Sequence, residues 1–149
     1  MVEGFFGVPP HVPIIIERGH AVMKSKEQWL TEAVYRLKPI FNNVGAPVGD
    51  IRIEVTNSIK ALGTCSSNNV IQIHEELNSR SVFPVLLHEM LHAAVGVSEG
   101  HRGRFISVGQ RIGLWADPSQ PKTRYGEVSW PLAQLVRQLE MLLGPYPKS

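Results

Sequence analysis

The stretch His88-Glu89-Met90-Leu91-His92-Ala93-Ala94-Val95-Gly96-Val97-Ser98-Glu99-Gly100-His101 decides how the rest of the chain is read. His92 follows His88 by one helical turn, so a helix stacks both imidazoles on one face. From Ser81 onward Val82, Val85, Leu86, Glu89, Met90 and Ala93 fall at helical spacing, which predicts a helix to about Val95 stopped by Gly96. On that helix the two histidines can each offer a neutral ring nitrogen to a single metal ion. Glu89 follows His88 directly, so its carboxylate can lie beside such an ion without ligating it, placed to take a proton from water.

Two histidines do not complete a catalytic zinc site, which uses three protein ligands and keeps one position open. Gly96 can end the helix and Gly100 can turn the chain, bringing His101 back towards the first pair, and small Ala93 and Ala94 allow the approach. Without a metal the histidines would be surface or core-edge residues. Two unpaired imidazoles among apolar neighbours are a poor choice for a core.

Working outward, Ser25 and Gln28 form a capping box that opens a helix carrying Trp29, Leu30, Ala33, Val34 and Leu37 on its apolar face. Pro39 restricts Lys38 and marks the predicted end of that helix. Gly45, Pro47 and Gly49 make a turn region, after which Ile51, Ile53 and Val55 alternate with Arg52 and Glu54 as in a half-buried strand. Two further strands are predicted, about Ile59 to Cys65 and Val70 to His74, joined by the turn-forming Ser66-Ser67-Asn68-Asn69. Together they predict a small, mostly antiparallel sheet. Beyond the histidine helix, a helix from about His101 to Gly113 carries Phe105, Val108 and Ile112 on one side, and residues 117–121 form a loop. A last amphipathic helix over 130–143 carries Leu132, Leu135, Val136 and Leu139. Trp29, Trp115 and Trp130 read as core or core-edge packing. No repeat or linker divides the chain, so residues 1–149 are expected to form one α+β domain with an irregular N-terminal arm over 1–24.

Composition sets the class. The 149 residues are 43% hydrophobic and 19% charged, as in ordinary globular domains. Cys65 is the only cysteine, which excludes an internal disulfide and suits a reducing compartment. The apolar stretch Val8 to Ile16 is broken by prolines and preceded by Glu3, unlike a signal peptide. No run approaches the roughly 20 apolar residues of a membrane span. A cytoplasmic location is expected. Net charge is +2, unevenly spread: residues 1–99 carry 8 Lys/Arg against 10 Asp/Glu, and residues 100–149 carry 7 against 3. Arg102, Arg104, Arg111, Lys122, Arg124 and Arg137 make the C-terminal third basic, either a solvated surface or a face for nucleic acid or an acidic partner.

HEMLHAAVGVSEGH followed by RGRF resembles the SprT/Spartan-like zinc metallopeptidases, including short forms found in phage genomes. That family shows a similar HExxH, a short spacer, a Gly-His pair and then an aromatic. The similarity extends over roughly residues 25–115, with Trp29 to Phe41 like the leading helix, Leu62-Gly63-Thr64-Cys65 like a strand before the active helix, and Ile112-Gly113-Leu114 closing the next one. It implies a zincin-like fold, zinc held by His88, His92 and His101, Glu89 as catalytic base, and, as in several members, cleavage of proteins attached to DNA. A phage-encoded form would act in the host cytoplasm. Many relatives carry a C-terminal cysteine zinc ribbon, which one cysteine cannot build, and Arg102 stands where a second glycine often follows the histidine.

Hydrolysis would then proceed by activated water, with an oxyanion-stabilising side chain among His74, Arg124 and Tyr125 or elsewhere. Cys65 is either a fourth ligand or a small buried strand residue, and Glu99 either orients a ligating histidine or is a solvated turn residue. The rival readings are another zinc hydrolase, such as one removing a small acyl group with Cys65 as ligand, and a non-catalytic nucleic-acid or protein-binding module.

Overall fold

Ser25 starts the first helix as the capping box requires: its hydroxyl accepts from the Gln28 N–H, and the Gln28 side chain accepts from the Ser25 N–H. A computed structural model describes residues 16–17, 20–21, 24–115, 117 and 128–148, the first two pairs by their backbone only. Helix α1 spans Lys26–Asn43 and buries Trp29, Leu30, Ala33, Val34, Leu37 and Phe41. It therefore runs past Pro39, where an end was expected. Proline removes one intrahelical hydrogen bond, yet the helix continues to Asn43 and fully buries Phe41 beyond it. The helix stops at Gly45, whose φ of 75° is the left-handed conformation that glycine adopts without strain.

Within the expected N-terminal arm, β1 (Ile16–Glu17) pairs antiparallel with β2 (His20–Ala21); the rest of that arm lies outside the described residues. The main sheet contains β3 (Arg52–Thr56), β4 (Gly63–Cys65) and β5 (Val70–His74) in the order β3-β5-β4. The β4–β5 hairpin is antiparallel, with Ser66 accepting the Asn69 N–H in the turn and Asn69 itself at φ 61°. The pairing of β3 with β5 is parallel, so the sheet is mixed, not mostly antiparallel. The reason is topological. Two reversals, over 57–62 and 66–69, return β5 to the direction of β3, and β5 takes the central place between its neighbours.

One face of this sheet is apolar. Ile53 pairs with Ile71 and Val55 with Ile73, while Cys65 and Gly63 complete the two rows across β4. The opposite face carries a polar row in which Gln72 donates to Glu54 and Thr64 donates to Gln72. Helices α1 and α2 (Val82–Val95) pack against the sheet, α1 mainly at β3 and α2 mainly at β4. Glu27 of α1 accepts the Val55 N–H of the outer strand β3. Helix α3 (Arg104–Ile112) packs on α2, and α4 (Trp130–Leu143) packs on α1. The chain after α4 returns to α1, where Trp29 donates to Gly144 and meets Tyr146 edge-on at 5.0 Å. Glu32, 1% exposed, is neutralised by Lys24 and by Arg36 one turn on.

Trp130 corrects the reading of the tryptophans. Trp29 and Trp115 are buried, but Trp130 is 73% exposed. Helix α4 turns Leu132, Leu139 and Leu143 inward, and Trp130 lies about 200° round the helix from Leu132. The fold is thus α+β, with four helices and a three-stranded mixed sheet among the described residues. No helix among them is long and apolar enough to cross a membrane.

Candidate metal centre

Helix α2 is apolar almost all round, and Val82, Phe83, Val85, Leu86, Leu87, Met90 and Leu91 are buried. A helix of that kind lies inside a domain, so its polar residues need partners there. His88 and Glu89 are only 4% and 3% exposed. His92 is half-buried, one turn further along, and its ring centroid lies 4.9 Å from that of His88. Gly96, at φ 95°, ends the helix, with its N–H on the His92 carbonyl. A single 3-10 turn over Val97–Glu99 follows, and Gly100 at φ 65° swings the chain back.

That swing brings His101 to the pair. His101 Nε2 lies 3.2 Å from His88 Nε2 and 3.1 Å from His92 Nε2. All three donor atoms fall within 4.8 Å of one another, and the group contains no other side chain among the described residues. A neutral imidazole nitrogen carries a proton or a lone pair, so His101 Nε2 can donate to at most one neighbour. A cation at the centre accepts all three lone pairs at once. Zn–N bonds of about 2.0–2.1 Å in a tetrahedron place the nitrogens about 3.3 Å apart, close to the distances found. The residues fit a metal ion.

Electrostatics prepare the same site. Burial, and after it the neighbouring His92 and His101, push His88 down to about 3. Burial followed by His101 pushes His92 down to about 4. Both rings are therefore neutral at physiological pH, the form that ligates metals. The cluster grades from buried His88 through half-buried His92 to exposed His101, so its open side faces solvent.

Phe105, Gly109, Gly63 and Glu99 shape the surroundings. Phe105, fully buried at the start of α3, lies 4.6–5.1 Å from all three imidazole rings and backs the cluster. It is held there because Gly109 lets Trp115 and Leu91 close in; a Cβ at Gly109 would fall 2.5 Å from Trp115. Gly63 of β4 lies against Glu89, and a Cβ there would meet Val85 at 2.7 Å and the Glu89 Cγ at 3.1 Å. The glycine thus sets how closely β4 approaches the glutamate. Glu99 neither reaches the histidine nitrogens nor stands free in solvent: its Oε1 accepts the Arg104 N–H at 2.9 Å.

The other expected residues part company here. Cys65 lies on β4 outside the histidine group, and burial together with the Glu89 charge pushes its thiol up to about 11. His74 is tied to the turn after β5, where its Nδ1 accepts the Glu76 N–H. Lys122, Arg124 and Tyr125 lie outside the described residues, while Arg102, Arg104, Arg111 and Arg137 are exposed. The sequence reading missed the backing role of Phe105, for which the RGRF segment was the available signal. No protein-family model, curated protein or solved structure matches the chain.

Proposed function

We propose that this protein is a zinc-dependent endopeptidase on a zincin-like fold, resembling the SprT/Spartan-like metallopeptidases. The observation that carries this reading is the convergence of the His88, His92 and His101 Nε2 atoms, with the residue after His88, Glu89, buried and outside that group. Three neutral imidazoles with an open side suit zinc and other first-row transition ions, and not calcium or magnesium, which prefer oxygen. The bound ion would supply Lewis-acid polarisation of a carbonyl and lower the pKa of water towards neutrality. His88, His92 and His101 would hold it, and Phe105 would keep their rings in place and exclude water from behind.

Glu89 would act as general base and then general acid. Its carboxylate takes a proton from the attacking water and passes it to the departing amine nitrogen as the peptide C–N bond breaks. Peptide is the favoured substrate class because β4, an outer strand of the sheet, runs beside Glu89. An extended chain adds to such a strand through main-chain hydrogen bonds. A small-acyl hydrolase with a cysteine ligand is disfavoured by the place of Cys65 outside the histidine group.

The test compares wild type with Glu89→Gln for cleavage of labelled casein and for self-cleavage, with zinc content measured in parallel. The variant is expected to lose at least about a hundredfold in rate while keeping its zinc. Equal cleavage by both would overturn the role of Glu89.

A second reading concerns partners. Arg102, Arg104 and Arg111 are all exposed, the first beside His101 and the others along α3, so a polyanion such as DNA could lie next to the site. Binding of this kind weakens steeply with salt. A DNA affinity that is undetectable at moderate salt would end this reading and leave the peptidase reading untouched.

A further inference from the structure

His101 differs from the other two histidines in having no regular element under it. It stands exposed in the turn between the 3-10 segment and α3, flanked by Gly100 at φ 65°, ψ −142° and Gly103 at φ 58°, ψ −123°. Two glycines in conformations closed to other residues define a tight turn but also leave it with many alternatives when unrestrained. Something must hold it. Glu99 precedes His101 by two residues and bonds to Arg104 three residues after it, closing a ring of chain around the histidine. The acceptor is well matched: the Arg104 N–H is among the first, unpaired donors of α3, where a carboxylate is favoured by the helix dipole. Gly103 makes room for it, since a Cβ there would stand 2.3 Å from Glu99 Oε1.

From this geometry we infer that Glu99 is the positioning residue of the third ligand: its carboxylate clamps residues 99–104 so that His101 Nε2 faces His88 and His92 before any metal arrives. The inference rests on the histidine cluster being a metal site. Glu99 touches neither the metal position nor the ring nitrogens; it acts through the backbone of the turn. The clamp needs an acceptor at that place and not a negative charge, so glutamine serves and alanine does not. Gly103→Ala opposes the turn from the other side, its Cβ displacing the carboxylate and straining a backbone at φ 58°, so Glu99→Ala against Glu99→Gln is the comparison that isolates the clamp.

The experiment measures zinc affinity by chelator competition, and the visible spectrum of the cobalt(II)-loaded protein, for wild type, His101→Ala, Glu99→Ala, Glu99→Gln and Gly103→Ala. Melting of each metal-free protein is recorded alongside. Glu99→Ala and Gly103→Ala are expected to weaken zinc binding about ten- to hundredfold and to shift the cobalt spectrum towards that of His101→Ala. Glu99→Gln is expected to stay within about threefold of wild type by the same measure of outer-residue effects. If Glu99→Ala lowers only the melting temperature and leaves affinity and spectrum as in wild type, the residue is merely structural and the inference fails. If wild type and His101→Ala bind zinc equally, it is the metal site that fails, and the two failures are told apart by the His101 variant.

Discussion

His101 Nε2 lies 3.2 Å from His88 Nε2 across a gap of 13 residues, and the contact depends on three separate elements. Helix α2 supplies His88, the glycine turn supplies the reversal, and α3 supplies Phe105 as the surface against which all three rings rest. The cluster is therefore a product of tertiary packing and not of the His-Glu-x-x-His spacing alone.

Acidification acts on this cluster directly. His88 and His92 titrate near 3 and 4 in the folded chain, whereas an unfolded histidine titrates near 6.5. Between those limits the unfolded chain binds more protons, so stability rises with pH through the window and levels off above about 6.5. Thermal melts in excess chelator from pH 4 to pH 8 are expected to show this rise, and double replacement of both histidines by Gln is expected to flatten it. A melting temperature independent of pH in the wild type would contradict the burial of these rings.

Phe105 is expected to matter twice. Phe105→Ala removes a fully buried ring and should destabilise the metal-free protein by about 3–5 kcal/mol, read from denaturant unfolding. Phe105→Leu should cost less and still weaken zinc binding, because a branched aliphatic side chain cannot rest against three imidazoles as the ring does. Unchanged zinc affinity in Phe105→Leu would show that the ring is only core packing.

Cys65 is expected to be chemically quiet. With its thiol pushed up to about 11, almost no thiolate is present at pH 8, and alkylation by iodoacetamide should be much slower than that of an unfolded control. Cys65→Ser should keep the full zinc content. Loss of zinc in that variant would bring back the cysteine-ligated hydrolase.

Local features were legible in the sequence, and non-local ones were not. The capping box at Ser25 and Gln28, the hairpin turn at Ser66 to Asn69 and the stop of α2 at Gly96 are set by neighbouring residues, and each stands where its chemistry placed it. Pro39 misled because its cost is local while the burial of Phe41 beyond it is tertiary. The parallel pairing of β3 with β5 follows from which strand takes the centre of the sheet, and no spacing within the strands encodes that choice. In the site, spacing and glycines sufficed to name His88, His92 and His101 as one group, but not the packing of Phe105 against their rings. The bond from Glu99 to Arg104 was invisible because a carboxylate in a turn looks the same whether it caps a helix or faces water.

The most direct test of the metal site is elemental mass spectrometry on the purified wild type and on His101→Ala. About one zinc per chain in the wild type, lost or strongly reduced in the variant, is the expected result for a three-histidine site. A well-folded wild type that takes up little or no zinc even when it is supplied would contradict the metal site and the peptidase reading built on it.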